Sequence, residues 1–283
     1  MTRTLVDGGL VLCDAPRWRD DRLWFSDLYA GGVYTTTLDG ETEKVLEVAG
    51  GPAGIAFPDD GSWLVVSQHD QKILRVVDGA TDVYADLSGI AIGNCNELLL
   101  TPDGNAYVGC FGFEIGDGSA ELQPRPAPLM LIRPDGSVTV VDDDLMFPNG
   151  MVLTPDGRTL LVNQTFADCI TAFDVQPDGS LTNRRVWAEL PGTNPDGLCL
   201  DAEGAVWVAC VYAGECIRVA EGGETLSRVE TPGRWLTACM LGGPDRRHLF
   251  VLTTETDLER LARNEGHGRV EVVEVQVPGA GLP

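Results

Sequence analysis

Residues 147–163 read FPNGMVLTPDGRTLLVN, and residues 193–209 read TNPDGLCLDAEGAVWVA. Each holds a polar residue after a proline, then a glycine, a short apolar run, an acidic-Gly turn and a second short apolar run. Paired apolar runs around such a turn signal a β-hairpin, because glycine supplies the positive φ that tight turns require. The layout recurs in APRWRDDRLWFSD (15–27), AGIAFPDDGSWLVVS (53–67), NELLLTPDGNAYVG (96–109) and TACMLGGPDRRHLFVL (237–252). The six copies stand about 40 to 53 residues apart. A period of that size marks a repeat architecture.

A third strand pattern follows every hairpin, from GGVYTTTLDG in the first unit to GRVEVVEVQVPG in the last. A fourth, such as EKVLEVAG or TLSRVETPG, follows in five of the six units. The sixth unit lacks one, and TRTLVDGG (2–9) precedes the first hairpin and reads like the fourth strand VTVVDDDL. The sequence therefore predicts an all-β fold, a six-bladed β-propeller of four-stranded blades whose ring is closed by the N-terminal strand. One domain spanning residues 1–283 is expected. Closure of this kind leaves only short outer edges to protect. No segment sustains a 3.6-residue period, so little helix is expected. The longest irregular stretch, FGFEIGDGSAELQPRPAP (111–128), has the length of a lid or binding loop. Phe111 and Phe113 within it serve equally well as its own packing anchors.

A net charge of −23 repels phosphate backbones and anionic lipid, so neither nucleic acid nor a membrane is an expected partner. No run approaches a membrane span and the N-terminus has no cleavage signal, which predicts a cytoplasmic protein. The eight cysteines form no C-x-x-C pair and sit mostly in apolar runs, as buried thiols of a reducing compartment do. His69, His248 and His267 are far apart in sequence, which argues against a Ser-His-Asp triad or a histidine-rich zinc site. His69 is read as a surface-loop residue.

Counting back eight residues from Gly61, Gly104, Gly157 and Gly204 lands on Ala53, Asn96, Asn149 and Asp196. The same offset in the first and last units lands on Asp14 and Thr237. These six residues are one structural position at the start of each channel-lining strand. Four of them are Asp or Asn, whose oxygens are hard ligands suited to Ca²⁺, Mg²⁺ or Mn²⁺. Two carboxylates brought together in this way call for a cation or a proton between them.

CDAPRW (13–18), FPNGMVLTPDGRTLLVN, PDGLCLDAEGAVWVA and the final-unit ACMLGGPDRRHLFVLTT resemble signature segments of the gluconolactonase/regucalcin (senescence marker protein) family. They occur in the family's order over essentially the whole chain. The resemblance implies a six-bladed propeller with one divalent cation at the channel mouth, most readily Ca²⁺, with Mg²⁺, Mn²⁺ or Zn²⁺ as other occupants. It implies Asp14, Asn149 and Asp196 as metal ligands, Asn94 and Asn96 as substrate contacts, and Asp196 also as the general base. The family usually has Glu where Asp14 stands, and regucalcin-like lactonases often have Arg where Asn94 stands. The activity implied is metal-dependent opening of a sugar or small aliphatic lactone, with a small molecule as the partner and a monomer or weak homo-oligomer as the assembly. Two other readings stay open at this point. One is a non-hydrolytic isomerisation, cyclisation or C–C bond formation on a biosynthetic intermediate. The other is a non-enzymatic calcium-binding propeller.

Overall fold

The computed structural model of the chain describes residues 2–114 and 124–281. Its strands form six four-stranded antiparallel sheets. The innermost strands are Cys13–Arg19, Pro52–Ala56, Cys95–Leu100, Pro148–Leu153, Pro195–Leu200 and Trp235–Gly242. Each packs against its two neighbours, and the first also packs against the last, so the ring closes as a six-bladed propeller. Five blades use consecutive strands. The sixth runs Trp235–Gly242, His248–Glu255, His267–Glu274 and then Arg3–Asp7 from the chain start. Arg3 pairs with Val272 and Asp7 with Arg269, which is the closure the sequence predicts. The one helix among the described residues is the four-residue Leu258–Leu261.

Burial follows position in the blade. The inner strands of blades two and five are buried throughout, whereas outer strands such as Thr42–Glu47 and Thr225–Glu230 are largely exposed. Apolar side chains fill the space between blades. Trp18 of blade one stacks on Phe250 of blade six with ring centroids 5.3 Å apart, sealing the closure. All eight cysteines are buried and free, as their apolar contexts imply.

The acidic-Gly turns behave as hairpin turns. Gly157 has φ 70° and Gly204 has φ 81°. Aspartates hold such turns: Asp156 accepts from the Arg158 N–H at 3.1 Å, Asp60 from the Ser62 N–H at 3.0 Å and Asp201 from the Glu203 N–H at 2.8 Å. Hydrogen bonds from the Ser62, Ser137, Thr154 and Ser180 hydroxyls, and then from backbone N–H groups, hold Asp60, Asp135, Asp156 and Asp178 below the usual carboxylate range. Part of the chain's large negative charge is therefore turn chemistry.

A second use of glycine is less visible in the sequence. The glycines of PNG and PDG, Gly150 and Gly197, have ordinary φ and sit where neighbouring inner strands nearly touch. A Cβ on Gly150 would lie 2.6 Å from the Asp196 carbonyl oxygen, and one on Gly197 would lie 2.8 Å from the Ala238 Cα. Gly54 is tighter, with the Leu98 nitrogen 2.3 Å from its ideal Cβ. These glycines let the inner strands crowd the axis.

Candidate functional site

The inner strand of every blade breaks register at the same place. The irregularities fall between Asp14 and Arg17, Pro52 and Ile55, Cys95 and Leu98, Pro148 and Met151, Pro195 and Leu198, and Leu236 and Ala238. A β-bulge re-aims the side chain it carries. Each of the six equivalent residues found by counting from the turns lies at or inside its bulge. Asp14, Asn96, Asn149, Asp196 and Thr237 line one axial cavity of about 100 Å³. Ala53 contributes no polar group.

The four oxygen-bearing residues are nearly sealed, with exposures of 4% for Asp14, 1% for Asn96, 1% for Asn149 and 9% for Asp196. A chain of hydrogen bonds fixes the two amides. Asn96 Nδ2 donates to Asn149 Oδ1 at 3.0 Å, and Asn149 Nδ2 donates to Thr165 Oγ1 at 3.2 Å. The Thr165 hydroxyl in turn donates to the Pro195 carbonyl at 2.9 Å. Asn163 Nδ2 donates to the Asp196 carbonyl at 2.6 Å and ties blade four to blade five at the site. The network leaves Asp14 Oδ1, Asn96 Oδ1 and Asp196 Oδ1 buried without a hydrogen-bond partner. A buried acceptor left unpaired costs about 1–3 kcal/mol, so three at one cavity indicate a missing partner.

Electrostatics identify that partner's sign. Burial pushes the Asp14 carboxyl well above its usual range, and repulsion from Glu97 adds to it. Asp196 is raised in the same way, by burial first and then by Asp14 and Glu97, offset in part by the Asn149 amide. Glu97 is itself paired to Arg17 at 3.0 Å. Three carboxyl groups share one guanidinium, so ionising both Asp14 and Asp196 requires a compensating positive charge in the channel. Among the described residues no three His, Cys, Asp or Glu side chains converge as a metal cluster. The donor set is instead two carboxylates with neutral amide oxygens, which is the hard-oxygen chemistry of Ca²⁺ or Mg²⁺ rather than a thiolate or imidazole site. Charge and orphaned oxygens both fit a divalent cation.

The structure brings together Asp14, Asn96, Asn149 and Asp196 from the sequence-predicted set. Asn149 Oδ1 already accepts one hydrogen bond, whereas the oxygen of Asn96, expected as a substrate contact, has none. Asn94 lies elsewhere: its amide is 3.0 Å from Nδ1 of the exposed His69, and it is not among the residues lining the cavity. Ala15, next to Asp14, has φ 52°. That left-handed conformation is uncommon for a residue with a Cβ and is the kind of local strain that gathers at functional sites.

Sequence reasoning did not find Thr165 or the Arg17–Glu97 pair. Thr165 follows the second strand of its blade, at the position that Leu28, Gln68, Phe111 and Val211 occupy in other blades, so aligning second strands would have exposed it. Arg17 crosses from blade one to blade three, where it also donates to the Leu98 carbonyl at 2.8 Å. Arg17→Met is expected to destabilise the metal-free protein by about 3–5 kcal/mol, because Glu97 is then left buried and uncompensated beside two other acids. Urea unfolding measures this, and adding Glu97→Gln should recover most of the loss. A cost below about 1 kcal/mol would mean that water, not Arg17, compensates Glu97.

Above the floor the walls are aromatic. Phe111 stacks on Phe113 with centroids 5.5 Å apart, and Phe147 meets Phe111 edge-on at 4.5 Å. Both loop aromatics thus act as packing anchors and as cavity lining. Of the loop predicted over 111–128, residues 115–123 lie outside the described residues. Tyr29, also in the wall, has its phenol pushed up to about 12, by burial first and then by Tyr212.

An axial, acidic, oxygen-lined cavity in a six-bladed ring defines a class of small-molecule-binding propellers. The chain belongs to the SMP-30/gluconolactonase/LRE-like family, whose model matches residues 12–255. Its relatives include the pentonolactonase XacC of Haloferax volcanii, 26% identical over 258 residues covering 89% of this chain and 85% of that protein. Regucalcin of Xenopus laevis is 28% identical over 247 residues, covering 84% of this chain and 81% of its own length. Among solved structures, the calcium-binding protein regucalcin of Agrobacterium tumefaciens has a TM-score of 0.82 at 22% identity, over 100% of this chain and 96% of that one. That likeness is one of fold. No helix among the described residues is long and apolar enough to cross a membrane.

Proposed function

We propose that the protein is a divalent-cation-dependent hydrolase that opens a lactone. The observation carrying this reading is the convergence of the unpartnered Asp14, Asn96 and Asp196 oxygens on one buried cavity. Membership of a family that includes a pentonolactonase supports the choice of lactones. Asp14, Asn149 and Asp196 would hold the cation, and the free oxygen of Asn96 makes it a further donor. When bound, such an ion polarises a carbonyl and lowers the pKa of nearby water.

The remaining chemistry belongs to the chain. Asp196 as the carboxylate takes a proton from the attacking water. The water oxygen bonds to the lactone carbonyl carbon and the ring C–O bond breaks. The proton held on the Asp196 carboxyl passes to the departing ring oxygen, which becomes a hydroxyl. The other product group is a carboxylic acid, which ionises and releases one proton per turnover. The Asn96–Asn149–Thr165 chain keeps the amides from rotating as charge develops, so no reorganisation is needed during the reaction. The aromatic walls keep bulk water away from the carboxylates.

Proton release from five- and six-membered lactones, followed with an indicator dye before and after chelation, tests this reading. Turnover should fall at least about 100-fold on chelation and return when a divalent cation is restored. Activity untouched by chelation would remove the cation from the mechanism. Tight cation binding with no turnover of any lactone would favour a non-hydrolytic or purely binding role.

A further inference from the structure

The floor and the walls of the cavity differ in chemistry. Two before the floor position stand Leu12 in blade one, Phe147 in blade four and Trp235 in blade six, which line the cavity, whereas Gly51, Asn94 and Asn194 of the other three blades do not. The residue following the second strand forms another tier, with Leu28, Phe111 and Val211 lining from blades one, three and five. Thr165 is the polar residue of that tier that lines the cavity, and its hydroxyl is already donated to a backbone carbonyl.

The aromatic side chains form two groups. Phe147 lies 5.4 Å from Phe113 and 5.6 Å from Phe166 between ring centroids. From blades five and six, Tyr212 and Trp235 meet edge-on at 5.0 Å. Tyr212 is 45% exposed and Leu258 40%, and both lie at this cavity. Large apolar side chains held partly in solvent around a concave site are a binding surface more readily than a packing surplus.

Each hydroxyl of a sugar ring placed against such a wall would lose its water without gaining a partner, forfeiting about tenfold or more in affinity. Each methylene placed there gains about fourfold. We infer that this site takes an apolar lactone, with its ester group on the oxygen-lined floor and an alkyl or aryl substituent against Phe147, Phe166, Tyr212 and Trp235. The inference rests on the lactone reading above and adds the substrate class to it.

The test uses cation-loaded protein with γ-lactones of increasing alkyl chain and with glucono-δ-lactone. The expected result is a kcat/KM that climbs by about fourfold per methylene over the first few carbons and exceeds that of the sugar lactone by about 100-fold. Phe166→Ala should cost about tenfold in kcat/KM for the long-chain member, mostly through KM. A sugar lactone preferred over every alkyl lactone overturns the inference and leaves lactone hydrolysis standing. If no lactone turns over, binding of alkyl-substituted lactams, followed by tryptophan fluorescence, separates the two ideas. Affinity rising with chain length then supports the apolar site while hydrolysis fails, and affinity independent of chain length overturns the inference.

Discussion

Asp196→Ala is expected to reduce lactone turnover by at least about 1,000-fold while leaving the propeller folded. The side chain has two duties in the proposed reaction, holding the cation and accepting the proton, and alanine removes both. Asp196→Asn separates the duties from the shape, since it keeps an oxygen in place but loses the charge and the basicity; it should be nearly as inactive. Stability provides the control. The Asp196 carboxyl is raised by burial and by Asp14 and Glu97, so the charged form is disfavoured in the metal-free site. Asp196→Asn should therefore match or exceed the parent in stability when both are chelated, by roughly 1–2 kcal/mol. A residue conserving only structure would show the opposite pattern. Retained activity in Asp196→Ala would sink the mechanism, and a variant that unfolds would give Asp196 a structural role instead.

The floor of the site was legible because one offset, eight residues back from each turn glycine, coincides with a bulge that the fold repeats in every blade. Asp14, Asn96, Asn149 and Asp196 could be placed together for that reason. The closing strand was legible from its pattern and from the absence of a fourth strand in the last unit. What stayed hidden depends on contacts between blades. Arg17 and Glu97 are 80 residues apart and pair across the channel, where no local pattern connects them. Gly150 and Gly197 sit in short Pro-Asx-Gly motifs that invite a turn reading, yet they answer to the crowding of adjacent inner strands. Asn94 stands two residues before Asn96, just outside the strand, and its amide engages His69 of blade two. The aromatic wall is a third case. Its members come from residues beside strand ends, where sequence periodicity stops, so only Phe111 and Phe113 attracted notice.

The largest stability effect should come from the cation. With free cation about a thousandfold above its Kd, binding to the folded state alone contributes about 4 kcal/mol. For a chain of this size that is a rise in Tm of roughly 8–16 °C over chelated protein. Asp14→Asn should abolish most of this rise, because it leaves only a neutral oxygen where the ion needs a charged one. The pH dependence has a definite sign. Asp14 and Asp196 have folded-state values raised above the ordinary 3.8, so in metal-free protein they hold protons that the unfolded chain has already lost. Metal-free stability from this pair is thus fully present below the ordinary value and is lost as pH rises through the raised values. A cation works in the other direction, since it needs both groups ionised and must displace their protons. The stabilisation by cation should therefore be greatest where the pair is ionised and should shrink as acid protonates it. Scanning calorimetry at a fixed cation concentration measures this, and a cation-induced shift that stays constant between about pH 8 and about pH 4 would contradict the assignment of these two carboxylates as the ligands.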